Sequence, residues 1–432
     1  MANKTLAFEI GTEELPAFDL HNATIQLEKL AHEAFDAAGI SYESIAVHST
    51  PRRLILIATQ VPEQTEAFEE VFKGPSAKIA FDAEGNPTKA ALGFARGKGV
   101  DAADLERRVE NGVEYVYATK STPAKRIADL LPDLLLGLIT GLSWPRPQRW
   151  GTLSDQFRRP VRWLLALLGS EVVDVHFAGL TAGNTTRGHR FLAPGPFEVA
   201  TANDLLPVLE KAYVVTSEAQ REAIIRQQIK DIETKTGLVA ELPAKVMAEV
   251  VNLVEYPTAM VGIFDELFLA VPKEIIVDAM LVHQRYFPLF TADGALTNKF
   301  IVTSNGNPKY EANIIDGNQR VVAARLYDAK FFYDEDLKKP LEAYVDDLEN
   351  VVFQESLGTT RAKVSRIEAL AGVLAAATGL SDSDIAEAKR AAFLAKADLV
   401  TGAVVEFTSV QGIMGSYYAK AAGETDQVAQ AI

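Results

Sequence analysis

Cysteine does not occur once in the 432 residues. Disulfide staples, Cys-ligated zinc, iron–sulfur clusters and a thiol nucleophile are therefore excluded together. Histidine is scarce as well: there are six, and none lies beyond His283. Long apolar runs are missing. The greasiest stretch, Leu130 to Leu142, is interrupted by Pro132 and Asp133 and is too short to span a bilayer. Met1 to Ile10 lacks the apolar core of a signal peptide. The Asn-x-Thr triplets at Asn3, Asn22 and Asn184 then read as chance matches, and the expected location is cytoplasmic, away from any membrane. Positive charge is also short, with 43 basic residues against 58 acidic ones and a net charge of −15. A diffuse nucleic-acid coat is excluded, because phosphate binding needs a positive surface; a local basic patch on an acidic body is not.

What is present is the composition of a globular protein, 48% hydrophobic and 23% charged. At roughly 150 residues per domain, the length suggests about three domains. The expected fold class is α+β. A mixed α/β body over 1–325, divisible into two subdomains around 124–163, precedes an all-α region over 326–432. In the body, Leu6 to Ile10 reads as a strand, Gly11 to Pro16 as a turn, and the following segment to Gly39 as a helix carrying Leu20, Leu27, Ala31 and Phe35. Ile45 to His48 and Leu54 to Val61 read as strands flanking Pro51-Arg52-Arg53. Glu114 to Lys120 alternates with the period of a half-buried strand. An apolar helix follows to Leu142, then strand-like stretches at 172–180 and 190–199. Helices are expected at 216–237, 244–254 and 272–282, with strands at 258–263 and 300–304. Beyond residue 310 alternation fades, and Val322, Leu326, Ala329 and Tyr333 fall on one helix face. The final residues to Ile432 read as a helix cut short.

Three groups of residues could carry chemistry. The first runs from Trp144 to Trp163 and holds all three tryptophans with Arg146, Arg149, Arg158, Arg159 and Arg162 against a single acid, Asp155. Guanidinium groups bind phosphate bidentately and aromatic faces stack on bases, so this cluster, Trp150 included, suits an RNA backbone. The bland alternative makes the tryptophans core anchors and pairs the arginines with surplus carboxylates. The second is Arg187-Gly188-His189-Arg190, together with the loop tip Arg52-Arg53. Glycine there would let the backbone approach a phosphate, although a satisfied turn histidine is the commoner outcome. The third is Glu13-Glu14, which could hold magnesium or act as acid and base. At a helix start, favourable placement near the positive end of the dipole is the stronger reading. Gly93 to Gly99 imitates a phosphate loop but has three spacers instead of four and no hydroxyl after Lys98. There is no dinucleotide fingerprint, no metalloprotease helix and no nucleophile elbow. No self-contained catalytic centre and no metal site are specified.

Taken in order, Phe8-Glu-Ile-Gly-Thr-Glu-Glu-Leu-Pro16, Pro51-Arg-Arg-Leu54, Lys73-Gly-Pro75, Arg149-Trp-Gly151, Arg158-Arg-Pro-Val-Arg-Trp163 and Arg187-Gly-His-Arg-Phe191 resemble successive blocks of one family. Val254-Glu-Tyr-Pro257, Phe268 to Pro272, Gln284-Arg-Tyr-Phe-Pro288, Phe353 to Gly358 and Val405 to Gly412 continue the series. The family is the β subunit of the bacterial heterotetrameric glycyl-tRNA synthetase. The resemblance implies a partner α subunit that makes glycyl-adenylate from glycine and ATP with magnesium, an α2β2 assembly, and a β subunit that binds glycine tRNA and carries no cofactor. It also implies an HD-type helical domain from about residue 330 and further domains beyond residue 432, ending in an anticodon-binding domain. Lys396-Ala-Asp398 stands where a His-Asp pair would be sought, and hydrolysis by that region is not expected, since lysine and alanine cannot replace imidazole ligands. The expected tRNA-binding residues are Arg52, Arg53, Arg146, Arg149, Trp150, Arg158, Arg159, Arg162, Arg187, His189 and Arg190. The alternatives are a truncated non-catalytic RNA-binding or scaffold protein and, more remotely, an HD-type phosphohydrolase.

Overall fold

The computed structural model describes residues 3–82 and 84–432. It is a mixed α+β structure, 48% helix and 24% strand, with no barrel. Backbone contacts divide the chain into two compact units, Met1–Thr216 and Ser217–Ile432. The change of texture expected near residue 325 is a change within the second unit, from sheet to helices, and the contacts of the mixed 217–325 segment group it with the helical region.

The first unit is built on β1 (Lys4–Thr12), α1 (Ala17–Ala38), β2 (Ser44–Thr50) and β3 (Arg53–Val61). An excursion follows: β4 (Phe68–Ser76), α2 (Ala77–Ala80), α3 (Lys89–Lys98), β5 (Glu106–Glu110) and β6 (Val113–Thr122). It folds as its own three-stranded sheet, order β4-β6-β5, over a small core of Ala80, Ala91 and Val116. The chain then returns through α4 (Ile127–Gly141) to β7 (Val161–Leu168) and β8 (Glu171–Val172), completing an antiparallel sheet of order β2-β3-β1-β7-β8.

Both faces of that sheet are covered, which is why its strands read as nearly continuous apolar runs and not as clean alternation. Even-numbered residues of β1, β3 and β7 (Leu6, Phe8, Ile10; Leu54, Leu56; Leu164, Ala166) face α1 and α4, where Leu20, Leu27, Phe35, Leu131 and Leu135 are fully buried. Each such side chain contributes about 1.5–3 kcal/mol by leaving water. Odd-numbered residues (Ala7, Ile55, Leu165, Leu167) pack on the other side against Val199, Leu205 and Leu209. The expected strands at 172–180 and 190–199 are shorter and broken: β9 (His176–Phe177), β10 (Leu180–Thr181), β11 (Thr185–Arg187) and β12 (Pro196–Glu198), followed by α5 (Leu205–Lys211). Gly179 at φ 74° and Gly195 at φ 135° turn the chain where a strand would have to continue.

In the second unit, α6 (Glu218–Thr236), β13 (Val239–Ala240), α7 (Ala244–Val251), β14 (Thr258–Ile263), α8 (Lys273–Asp278), β15 (Phe287–Phe290), β16 (Leu296–Ser304) and α9 (Glu311–Asp336) form a four-stranded sheet of order β13-β15-β16-β14 and its helices. Ile301 and Leu289 face α6 and α7, while Phe300 and Val302 face α8 and α9. The remainder is helical apart from one small hairpin, β17 (Val352–Gln354) and β18 (Gly358–Thr359), which corrects the all-α reading. Its tight turn is closed by Gly358 at φ 84°. Then come α10 (Thr360–Ala377), α11 (Asp382–Leu394), α12 (Gly402–Glu406), α13 (Ile413–Ala421) and α14 (Asp426–Ala431). Val322, Leu326 and Ala329 on α9 are buried as their spacing requires.

Two buried carboxylates organise these helices. Asp336 accepts from the amides of Gly402 (2.8 Å) and Ala403 (2.9 Å) at the start of α12 and from the Tyr418 hydroxyl (2.7 Å). Asp398 accepts from the amides of Gly412 and Gly415 at the start of α13. Both acids satisfy amides that a helix start leaves without partners.

Candidate functional site

The strand register brings four separate sequence blocks to one end of the five-stranded sheet. On its odd-numbered face the apolar ladder gives way to polar residues: Glu9 lies one pair from Gly11, and Gly11 is opposite both Arg53 and Trp163. Glu9 and Arg53 are completely buried and joined, Arg53 Nη1 donating to Glu9 Oε1 at 2.9 Å. The same nitrogen donates to the backbone carbonyl of Arg187 at 2.7 Å and reaches the Thr186 hydroxyl at 3.5 Å. Burial pushes the Glu9 carboxyl above its usual range; the Arg53 charge, followed by Thr186, Trp163 and the Arg53 hydrogen bond, pulls it back.

Trp163 is the centre of the arrangement. The guanidinium carbons of Arg53, Arg52 and Arg187 lie 5.3, 5.6 and 5.7 Å from its ring, within cation–π range. Its indole fits because the residue beside it is glycine: a Cβ on Gly11 would stand 1.9 Å from the ring. Outside this core is a rim of ion pairs. Arg190 meets Glu14 and, at 3.4 Å, Glu13; Arg162 meets Glu13 at 3.3 Å; Arg52 approaches Glu14 at 3.8 Å; and Arg158 meets Asp19 on α1. The neighbourhood thus gathers seven arginines (52, 53, 158, 159, 162, 187 and 190) and four carboxylates (Glu9, Glu13, Glu14 and Asp19), a local positive surplus in a chain of net charge −15.

The expected contact residues separate into three kinds. Arg53 and His189 are buried and engaged with the protein; His189 Nδ1 accepts from the amides of Phe191 and Leu192, which makes it a turn-closing side chain. Arg52 is buried too, with Glu14 at 3.8 Å, which removes it from the expected contact surface, while Arg158, Arg162 and Arg190 are ion-paired nearer the surface. Arg187 is exposed, its guanidinium carbon 5.7 Å from the Trp163 ring, and no carboxylate among the described residues is paired with it. Arg146 is exposed too, Arg159 is half-buried, and Arg149 is exposed with its Nε donating to the Ser154 carbonyl at 3.3 Å. Trp150 is half-buried against the α1/α4 core, and Trp144 packs edge-on to Phe157 at 4.7 Å, so these two rings anchor their loop.

Other readings change as well. Glu13 and Glu14, just ahead of α1, are paired with Arg162 and Arg190. Gly93 to Gly99 forms the C-terminal half of α3 and its left-handed cap, the negative end of a helix dipole and the wrong end for phosphate. Sequence reasoning held Glu9, Gly11 and Thr186 within its motifs, Thr186 heading the Arg187-Gly-His-Arg190 group, but gave none of them a role. A lone acid inside Leu6-Ala-Phe-Glu-Ile10 and a lone arginine heading Leu54-Ile-Leu-Ile57 are the available signal, because a charge in a buried strand needs an opposite one. Among the described residues, no group of three or more His, Asp or Glu side chains is placed to hold a metal ion, and no helix is long and apolar enough to cross a membrane.

The chain as a whole is similar to known proteins. The family described as glycyl-tRNA synthetase beta subunit matches residues 6–432. The glycine–tRNA ligase beta subunit of Moorella thermoacetica is 47% identical over 429 residues, 99% of this chain and 62% of its own length. The corresponding subunits of Desulforamulus reducens and Shouchella clausii are 43% and 42% identical, again with 62% of their length covered. The chain therefore spans about 62% of the length of the curated relatives it matches. With the match reaching across nearly every residue, this chain belongs to the glycyl-tRNA synthetase beta subunit family.

Proposed function

We infer that this chain serves as the tRNA-holding part of a glycine–tRNA ligase β subunit. It binds glycine tRNA at the arginine-rich end of the five-stranded sheet. ATP, magnesium and glycine are handled by a separate α subunit in an α2β2 enzyme of the cytoplasm. The observation that carries the reading is the convergence of Arg158, Arg159, Arg162, Arg187 and Arg190 on one sheet end of an acidic protein, where RNA phosphates have a positive surface to meet. Arg146 and Arg149, exposed on the loop before β7, extend it. The helical region resembles an HD-type domain without its chemistry: Asp398 spends its carboxylate on two backbone amides and has lysine and alanine, not histidine, before it.

The test is a titration of the chain with glycine tRNA between 50 and 200 mM salt. Log affinity should fall linearly with log salt. Replacing Arg146, Arg149, Arg159 and Arg187 together by alanine should reduce the slope by about three to four, near one per lost phosphate contact. An unchanged slope removes the sheet end from the interface. A second reading, an RNA-binding protein that does not support aminoacylation, would show the same salt dependence. Addition of the α subunit separates the two, since only a working β subunit yields charged tRNA.

A further inference from the structure

The buried pair behind the arginine face has a geometry that reaches one exposed side chain. Arg53 holds Glu9 with Nη1 and, with the same nitrogen, grips the carbonyl of Arg187 at 2.7 Å. That grip fixes the backbone from which the Arg187 side chain departs. Trp163, seated over Gly11 and only 7% exposed, fixes where the side chain ends, with the guanidinium 5.7 Å from its ring. Arg190, Arg162 and Arg158, by contrast, have their donors turned to carboxylates.

We propose that Arg187 is the principal phosphate-contacting residue of this surface, and that Glu9, Arg53 and Trp163 are its positioning residues. This rests on the tRNA-binding reading. A guanidinium held beside an indole, with no carboxylate paired to it among the described residues, keeps its fork of N–H donors available to take a phosphate bidentately. Because the indole contact and the carbonyl grip pre-order a side chain that is otherwise rich in rotamers, binding costs less entropy than it would at a free surface arginine. The ion-paired arginines must first release a carboxylate; Arg187 need not.

The experiment measures glycine tRNA affinity and its salt slope for the wild-type chain and for Arg187→Ala, Arg187→Lys, Glu9→Gln and the Glu9→Gln/Arg187→Ala double variant. Tryptophan fluorescence melting checks that each variant is folded. Arg187→Ala should weaken binding about five- to tenfold and lower the slope by about one. Arg187→Lys should keep the slope, since the charge remains, yet lose about two- to fivefold in affinity because the planar fork is gone. Glu9→Gln should weaken binding with the slope unchanged and have no further effect once Arg187 is alanine. Equal affinity and slope for Arg187→Ala and wild type overturn the proposal while leaving the tRNA reading intact. Failure of the wild-type chain to bind glycine tRNA overturns both. A Glu9→Gln loss of the same size in both backgrounds removes the positioning role, because simple loosening of the fold would act regardless of Arg187.

Discussion

Substituting Gly11 by alanine should be far more damaging than a single methyl group suggests. The added Cβ would lie 1.9, 2.0 and 2.4 Å from three atoms of the Trp163 indole, and β1 and β7 are paired at this point, so neither strand can retreat alone. The ring must move. Overpacking of a core by one carbon costs about 1–3 kcal/mol. Displacing this ring also weakens its cation–π contacts with Arg52, Arg53 and Arg187, each of about 0.5–1 kcal/mol or more where desolvated. A total near 3 kcal/mol follows, a large share of a typical 5–15 kcal/mol of stability. All three tryptophans lie in the first unit, so their fluorescence reports its urea unfolding selectively. With a slope of about 3 kcal/mol per molar urea, the midpoint should fall by about 1 M. Adding Trp163→Ala should remove the clash, so the double variant should be more stable than the sum of the single effects predicts. A midpoint shift below about 0.2 M, or strict additivity, would refute the reasoning.

The rim supplies a prediction of opposite sign. Glu13→Gln with Glu14→Gln releases Arg190 and Arg162 from these carboxylates, so tRNA affinity should rise about three- to tenfold with a steeper salt slope, while stability changes by less than about 1 kcal/mol because the pairs are partly exposed. A filter-binding titration decides this, and weaker binding would mean that the carboxylates themselves face the ligand favourably. In the second unit, Asp336→Ala strands two buried amides and the Tyr418 hydroxyl and should cost about 3–5 kcal/mol, a fall of roughly 10 °C in the melting temperature followed by far-ultraviolet circular dichroism. A drop of only a degree would show that water replaces the carboxylate without loss.

Much of the scaffold was legible because local chemistry decides it. The strand at Leu6–Ile10, the helix ended by Gly39 in its left-handed cap, the strands around Arg52-Arg53 and the buried face of α9 follow from spacing and turn residues alone. The strand β7 was obscured by its own composition. Read along the chain, Arg158 to Trp163 is a basic aromatic cluster; only pairing with β1 makes Trp163 and Leu165 consecutive residues of one face. The stretch 190–199 failed for the reverse reason, since its apolar residues imitate a strand that the turn closed by His189 prevents.

By itself, then, the sequence determined the chemical inventory: no thiol, no histidine beyond residue 283, arginines set among tryptophans, and an acidic body around them. These are facts of composition and order, and folding cannot change them. Tertiary structure decided which arginines remain available. Whether a guanidinium is buried against Glu9, tied to Glu13, Glu14 or Asp19, or laid open on Trp163 depends on which strands pair and in what register. The partners lie as far apart in the chain as Glu14 and Arg190, joined by the sheet and by no local pattern. Long-range pairing is invisible to periodicity, because a side chain's neighbours across a sheet are set by register and not by spacing along the chain.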